Sequence, residues 1–169
     1  MISNNIAKEI AYHNALPCVF DNFIDLPELS DGVISFVCSV KSPANPEHKW
    51  VPAYIFDICK DGEKIGDVGL RIGYTEGLYY GGQIGYNVDG THQGNGYAVR
   101  ACRLLVPIAK AHAMIKLLIT NDHKNIASMR VCEKLGAKLV RTAPLPDWHE
   151  LYKDGQRFVN IYEWDIEKL

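Results

Sequence analysis

A glycine-rich turn between an apolar strand and a long helix constrains this chain more than any other stretch. Residues 83–98 read QIGYNVDGTHQGNGYA, in which a short strand ending at Val88 leads into Gln93–Ala98, where a helix begins. Small residues let the backbone approach a bound group, and the first amides of a helix have no partner within it. They point outward at the positive end of the helix dipole, so the turn predicts a phosphate or pyrophosphate site made of main chain.

The hydrophobic periodicity predicts strands first and then an alternation of strands and helices. Helices are expected over 3–14, with Ser3 as N-cap, and over about 95–113 and 125–135; strands are expected over 33–40, 51–59, 64–73, about 79–88, 114–120, 138–142 and 157–166. This order predicts an α+β fold of three layers, with a mixed, mostly antiparallel central sheet of six to seven strands flanked by helices. At 169 residues, one domain over 1–169 is expected.

Composition excludes several classes of function. The net charge of −2 gives no general basic field, so no nucleic-acid or membrane partner is expected. No apolar run approaches the roughly 20 residues of a membrane span, and the N-terminus lacks the layout of a secretory signal. The five cysteines are widely spaced without a Cys-x-x-Cys pair, and the six histidines show no ligand spacing. We therefore expect a cytoplasmic protein with reduced thiols and no metal.

Two familiar phosphate-binding motifs do not fit the turn. A dinucleotide fold requires Gly-x-Gly-x-x-Gly after the first strand; Gly94 and Gly96 are present, but residues 97–99 supply no third glycine. A Walker loop requires Gly-Lys-Ser/Thr, which is absent. The pattern that remains is Gln/Arg-x-x-Gly-x-Gly/Ala, met by Gln93, Gly96 and Ala98.

With this pattern the chain resembles the GCN5-related N-acetyltransferase (GNAT) family, whose members hold the pyrophosphate of coenzyme A in such a loop. Further features match: a buried strand ending at Thr120, then Asn125-x-x-Ser128 opening a helix that closes with EKLGA at 133–137. These residues, with Ile-Gly-Tyr at 84–86, are most similar to the branch of ribosomal-protein N-terminal acetyltransferases. The resemblance covers about 50–166, and an N-terminal extension over 1–32 lies outside it.

The resemblance implies acetyl-CoA as cofactor and assigns residues to it. The loop amides would bind the pyrophosphate: Gln93, Gly94, Asn95, Gly96, Tyr97 and Ala98. Tyr86, Asn87 and Val88, on a fourth strand that splays from the fifth, would meet the pantetheine arm and thioester, with an N–H near Val88 as oxyanion donor. Asn125 would fix the arm from the other side, and Ser128 would lie near the sulfur and protonate the departing thiolate.

The sequence departs from its relatives at two positions. Cys132 stands where many members carry a tyrosine acid; a thiol can donate a proton, but a buried structural cysteine is the simpler interpretation. Gln83 stands where branch members often carry Glu, and it cannot accept the ammonium proton. A water chain, or a carboxylate such as Asp67 or Glu76, remains an alternative.

The acceptor side is harder to predict. Only residues 41–50 separate the first two strands, which leaves little room for the helices that usually wall the acceptor cleft in the family. The N-terminal extension or residues 144–152 can take their place, although the aromatic side chains of the latter segment more often serve packing. They are Trp148, His149 and Tyr152.

These features predict an N-acetyltransferase that acts by direct attack through a tetrahedral intermediate. The acceptor is a primary amine, either a protein or peptide N-terminus or a small molecule, and the enzyme is a monomer or homodimer. The alternative function is a catalytically silent module that binds CoA or acyl-CoA, because Cys132 and Gln83 replace ionisable groups of the family.

Overall fold

A computed structural model of the protein describes residues 3–169 and is built around one seven-stranded sheet. The strands are β1 (Ser35–Ser42), β2 (Ala53–Lys60), β3 (Glu63–Arg71), β4 (Ile84–Val88), β5 (Lys116–Asp122), β6 (Lys138–Pro144) and β7 (Phe158–Asp165). The helices are α1 (Asn4–Asn14), α2 (Glu76–Gly81), α3 (Tyr97–Ala111), α4 (Ile126–Leu135) and α5 (Glu150–Lys153).

The strand order across the sheet is β1-β2-β3-β4-β5-β7-β6, and every neighbouring pair except one is antiparallel. The exception is β4 with β5, which run parallel and pair only at Ile84 and Ile119. With helices on both faces, this architecture confirms the mixed, mostly antiparallel sheet expected from the sequence. The single parallel pairing leaves the remainder of β4 free of β5.

The larger hydrophobic core lies between α3 and the face of the sheet formed by β1 to β5. Alternating side chains of β2 and β3 point into it, because successive residues of a strand face opposite sides. Fully buried members from the strands and α3 are Tyr54, Phe56, Ile58, Val68, Leu70, Cys102, Leu105 and Ile108. Each large side chain buried here stabilises the fold by roughly 1.5–3 kcal/mol, so this core fixes the position of α3.

Helix α1 is tied to the opposite face by a buried polar network. His13 Nδ1 lies 2.8 Å from the carbonyl oxygen of Glu9, and Nε2 lies 2.9 Å from the carboxylate of Glu163. The ring is 3% exposed and joins the backbone of α1 to the side chain of Glu163 on β7. Hydrogen bonds from His13 and from Lys116, at 2.8 Å, lower the pKa of Glu163 to about 2 despite its burial.

One predicted boundary is wrong. The sequence predicts a turn at residues 74–77 followed by a strand over about 79–88, whereas the structure forms α2 first and β4 only from Ile84. The Thr75 hydroxyl accepts a hydrogen bond from the Leu78 amide and caps α2. Tyr79 and Tyr80 then pack into the second core with α1. Tertiary packing of these two rings therefore makes the first part of the predicted strand a helix.

The chain between α1 and β1 crosses to the α3 side of the sheet. Val19 N–H donates to the carbonyl oxygen of His112 at 2.8 Å, and the ring of Phe20 stacks on the imidazole of His112. The Tyr54 hydroxyl joins the His112 ring at 2.8 Å and accepts from the Ile24 amide. The N-terminal extension therefore packs on both sides of the sheet, through α1 on one face and through residues 19–24 on the face that carries α3. It does not cover the outer face of β1 to β4.

Candidate functional site

The gap between β4 and β5 forms the middle of the candidate site. Asp89 N–H donates to the Ile65 carbonyl oxygen, and Arg71 N–H donates to the Gln83 carbonyl oxygen. These two bonds show which residues of β4 direct their backbone groups toward β3. In an antiparallel pair the backbone groups of alternate residues point to opposite neighbours. The N–H groups of Tyr86 and Val88 therefore face the gap, where β5 no longer pairs with β4. A ligand arm in the gap meets a strand edge with free donors.

The glycine-rich turn lies at the end of that gap and presents several free amides. Gly94 and Gly96 both have φ of 80°, a conformation that favours glycine. The first bond of α3 runs from the Arg100 amide to the Gly96 carbonyl oxygen. Within residues 3–169 no protein acceptor receives a hydrogen bond from the five amides of residues 94–98. Five successive donors at a helix N-terminus suit a diphosphate.

The space beside these amides also fits a diphosphate. A Cβ placed on Gly94 or Gly96 meets no atom within 4 Å, so the turn is open on its outer side. The Gln93 side chain folds back, and its Nε2 donates to the Val88 carbonyl oxygen at 2.9 Å. Asn95 Nδ2 likewise donates to the carbonyl oxygens of His92 and Gln93. These two side chains hold the turn to the end of β4 and leave its amides unobstructed.

The gap is bridged by two hydroxyls from different elements. Tyr86 Oη on β4 lies 2.8 Å from Ser128 Oγ in the first turn of α4, and either atom can donate. Burial of the phenol raises the pKa of Tyr86 well above its ordinary value, and its bond with Ser128 opposes that shift. Ser128 thus uses its side chain toward the gap and not toward the backbone of its own helix. Both groups are neutral hydroxyls at neutral pH.

Asn125 is the N-cap of α4. Its Oδ1 accepts a hydrogen bond from the Ser128 amide at 3.1 Å, while its Nδ2 makes no hydrogen bond within the described residues. The side chain is exposed near the same helix end as Ser128. The cap orients the amide so that its NH₂ group remains available to a ligand.

Cys132 is placed differently from the other predicted residues. Its side chain is 0% exposed in the core, and Asn121 Nδ2 lies 3.7 Å from its sulfur. Burial raises the pKa of the Cys132 thiol to about 12. These surroundings are those of a packing residue.

Gln83 is fully buried and has a structural role. Its Nε2 donates to the Gly73 carbonyl oxygen at 3.0 Å, and its Oε1 accepts from the Leu118 amide at 2.6 Å. The side chain thus ties β5 to the loop after β3. A carboxylate cannot donate to Gly73, which explains why this chain has an amide here.

On the outer face of the sheet a pocket of about 310 Å³ adjoins the β4 edge of the gap. Asp67 and Arg71 of β3 and Gly85 and Asn87 of β4 line it, with Ile55 of β2. Asp67 stands opposite Asn87 in the ladder. Sequence reasoning identified Asp67 as a candidate base and Asn87 as a candidate cofactor-binding residue, but it missed Arg71. The only sequence signal for Arg71 is its alternation with Asp67 and Gly69 along β3, which places it on this face.

Residues 144–152 do not wall this pocket with aromatic rings. His149 is buried, its Nε2 lies 3.0 Å from the Gly77 carbonyl oxygen, and its ring packs against Tyr80. Trp148 instead borders a second cavity of about 620 Å³ between α1 and β6. The His149 side chain therefore supports α2, as the packing interpretation expected.

Two further classes of feature were sought in the described part of the chain. Within residues 3–169 no helix combines the length and apolar character needed to cross a bilayer. The same residues contain no cluster of three or more His, Cys, Asp or Glu side chains arranged to hold a metal ion.

Comparison with known proteins agrees with this geometry. Residues 32–138, more than half of the chain, match the family model described as the acetyltransferase (GNAT) domain. None of the curated proteins shows significant sequence similarity to this chain.

Several solved structures share the fold. RimL, a ribosomal L7/L12 alpha-N-protein acetyltransferase solved with coenzyme A, superposes with a TM-score of 0.61 at 15% identity, covering 83% of this chain and 99% of RimL. The microcin C7 self-immunity acetyltransferase MccE, solved with acetyl-CoA and AMP, gives a TM-score of 0.53 at 20% identity and covers 67% of this chain. This chain spans 61% of that MccE chain. YncA of Salmonella typhimurium, a putative acetyltransferase with acetyl-CoA, gives 0.52 at 15% identity, covering 69% of this chain and 66% of YncA.

Proposed function

This chain belongs to the GNAT acetyltransferase family, and on that premise we propose that it transfers the acetyl group of acetyl-CoA to a primary amine. The observation that carries the proposal is the set of free amides at residues 94–98, placed at the end of the gap between β4 and β5. The RimL, MccE and YncA structures were solved with coenzyme A or acetyl-CoA, which supports the choice of cofactor.

Bound acetyl-CoA would supply an activated thioester. Acetyl transfer to a neutral amine gives one amide and one thiol, because the proton lost by the amine nitrogen balances the proton gained by the sulfur. The amides of residues 94–98 bind the diphosphate, and Asn125 Nδ2 donates to the arm. The N–H groups of Tyr86 and Val88 face the gap and stabilise the oxygen on which negative charge develops. One such donor contributes about 10²–10³ in rate.

The departing sulfur needs a proton, and the hydroxyl pair of Ser128 and Tyr86 is suited to supply it. The two oxygens are 2.8 Å apart, so a proton given by one hydroxyl is replaced from the other. Cys132 is a weaker candidate because its sulfur is enclosed in the core and its pKa is raised. We assign it to packing.

The acceptor is a protein N-terminus, by likeness to RimL, or a small amine, by the open outer face. A thiol-release assay with acetyl-CoA and a panel of peptides, polyamines and amino sugars tests the function. Turnover with any amine establishes an N-acetyltransferase. Tight CoA binding without turnover across the panel would instead establish the silent CoA-binding module.

A further inference from the structure

The outer pocket carries two opposite charges that the protein itself leaves free. The Asp67 carboxylate accepts no hydrogen bond and forms no ion pair within residues 3–169, whereas the carboxylate of its cross-strand neighbour Asp57 is paired with Lys64 at 2.9 Å. The charge of Asp67 acts on Lys64 only at longer range. Arg71 donates one hydrogen bond, from Nη1 to the Gly82 carbonyl oxygen at 3.1 Å, and no carboxylate of the described residues lies within 4.0 Å of it. Both charges are therefore available to a ligand.

The bond to Gly82 fixes the guanidinium above β4. Arg71 Nη1 lies 3.7 Å from the position of a Cβ on Gly85, so the group leans over that glycine and keeps most of its N–H donors free. Incomplete hydration in the concave pocket lowers the pKa of Arg71, although solvent still reaches the side chain, and the Glu150 carboxylate opposes this shift. A guanidinium that is oriented by one hydrogen bond and keeps its other donors free favours a carboxylate or phosphate.

The spacing of the charges limits the ligand. Asp67 stands opposite Asn87, two residues along β4 from Gly85, where the guanidinium lies. Two strand positions correspond to about 7 Å. An extended dipeptide has about the same length between its amino and carboxylate ends. The pocket volume of about 310 Å³ suits a ligand of that size.

Resting on the proposed function, we propose that this pocket binds a small dipolar acceptor, in which Asp67 holds the amino group beside the gap and Arg71 holds an anionic group about 7 Å away. A free dipeptide or an ω-amino acid has this chemistry. The short connection between β1 and β2 leaves the outer face of the sheet open. No α-helix from that connection encloses the acceptor, so the two charges select it. Asp67 orients the amine at the β4 edge from which it attacks.

The test compares glycylglycine with glycylglycine amide, which lacks the anion, and with a long peptide amidated at its C-terminus. We expect kcat/KM for glycylglycine to exceed that for its amide by about tenfold or more, since a charged hydrogen bond is lost. Arg71→Ala should erase this preference, and Arg71→Lys should retain part of it. Asp67→Asn should raise KM for both dipeptides, while the matched control Asp57→Asn leaves both unchanged.

The outcomes separate the inference from the function on which it rests. Equal use of the acid and the amide by the native enzyme, or a preference that survives Arg71→Ala, would overturn the dipolar acceptor while leaving acetyl transfer intact. CoA binding without release of thiol from acetyl-CoA in the presence of any acceptor would overturn the function itself. Unchanged CoA affinity and thermal midpoint of Arg71→Ala and Asp67→Asn show that each variant remains folded.

Discussion

Tyr86 Oη on β4 and Ser128 Oγ on α4, 42 residues apart in sequence, lie 2.8 Å from each other beside the gap between β4 and β5. The pair connects β4, whose Tyr86 and Val88 N–H groups face the gap, with α4 on the far side of the site. Since Tyr86 and Ser128 both face the region assigned to the sulfur, their separate roles are open to experiment.

We expect Ser128→Ala to lower kcat by about 10²-fold, at the low end of general acid catalysis, with little change in CoA affinity. Steady-state kinetics and calorimetric titration with CoA measure the two quantities. Tyr86→Phe is the paired variant, which keeps the ring and removes the second hydroxyl. A loss of CoA affinity equal to the loss of turnover would assign Ser128 to binding alone.

Gly96→Glu should weaken CoA binding by about tenfold or more, because a side chain at φ 80° strains the turn and a carboxylate repels the diphosphate. Gly155→Glu provides a control, since Gly155 also has positive φ, of 101°, with open space around it in a distant turn. Calorimetry on both variants checks the prediction. Equal affinities would remove the loop from the site.

Gln83→Glu should destabilise the fold instead of supplying a catalytic base. The substitution buries a carboxylate and leaves the Gly73 carbonyl oxygen without its donor, at a cost of about 1–3 kcal/mol or more. Urea unfolding measures the loss. A variant of native stability with raised turnover at low pH would contradict this role.

Cys132→Ala should keep nearly full turnover and lose about 1 kcal/mol of stability, since a small buried group is removed. Thiol reagents should label exposed Cys38 in the native protein and spare Cys132. A hundredfold fall in kcat at unchanged CoA affinity would instead make Cys132 the acid.

Acid should loosen α1 through Glu163. The carboxyl has a pKa of about 2 in the folded protein and an ordinary value of 4.5, so its contribution is complete above about pH 4.5 and is lost as the pH falls toward 2. The shift corresponds to at most about 3 kcal/mol. Urea unfolding between pH 6 and pH 2.5 should show a steeper loss for the native protein than for Glu163→Gln. Parallel curves would contradict it.

The sequence by itself determined the features that depend on local chemistry. The turn needs glycine at 94 and 96 because both residues have positive φ. The amides that follow have no partners within the helix, and Asn125 caps the helix that begins after it. These follow from neighbours within a few residues, as do most strands and the GNAT-type order. The pattern therefore predicted the loop, the fold class and the family.

Tertiary structure decided what depends on groups distant in sequence. Residues 76–81 form a helix because Tyr79 and Tyr80 pack against α1 in the second core. Both polar atoms of the Gln83 side chain are hydrogen-bonded because Gly73 and Leu118 lie on either side of it. Tertiary structure also left uncovered the face of β3 that carries Asp67 and Arg71. Periodicity reports which residues are buried, but the partner that buries or binds each one is set by packing between elements, which no local pattern encodes.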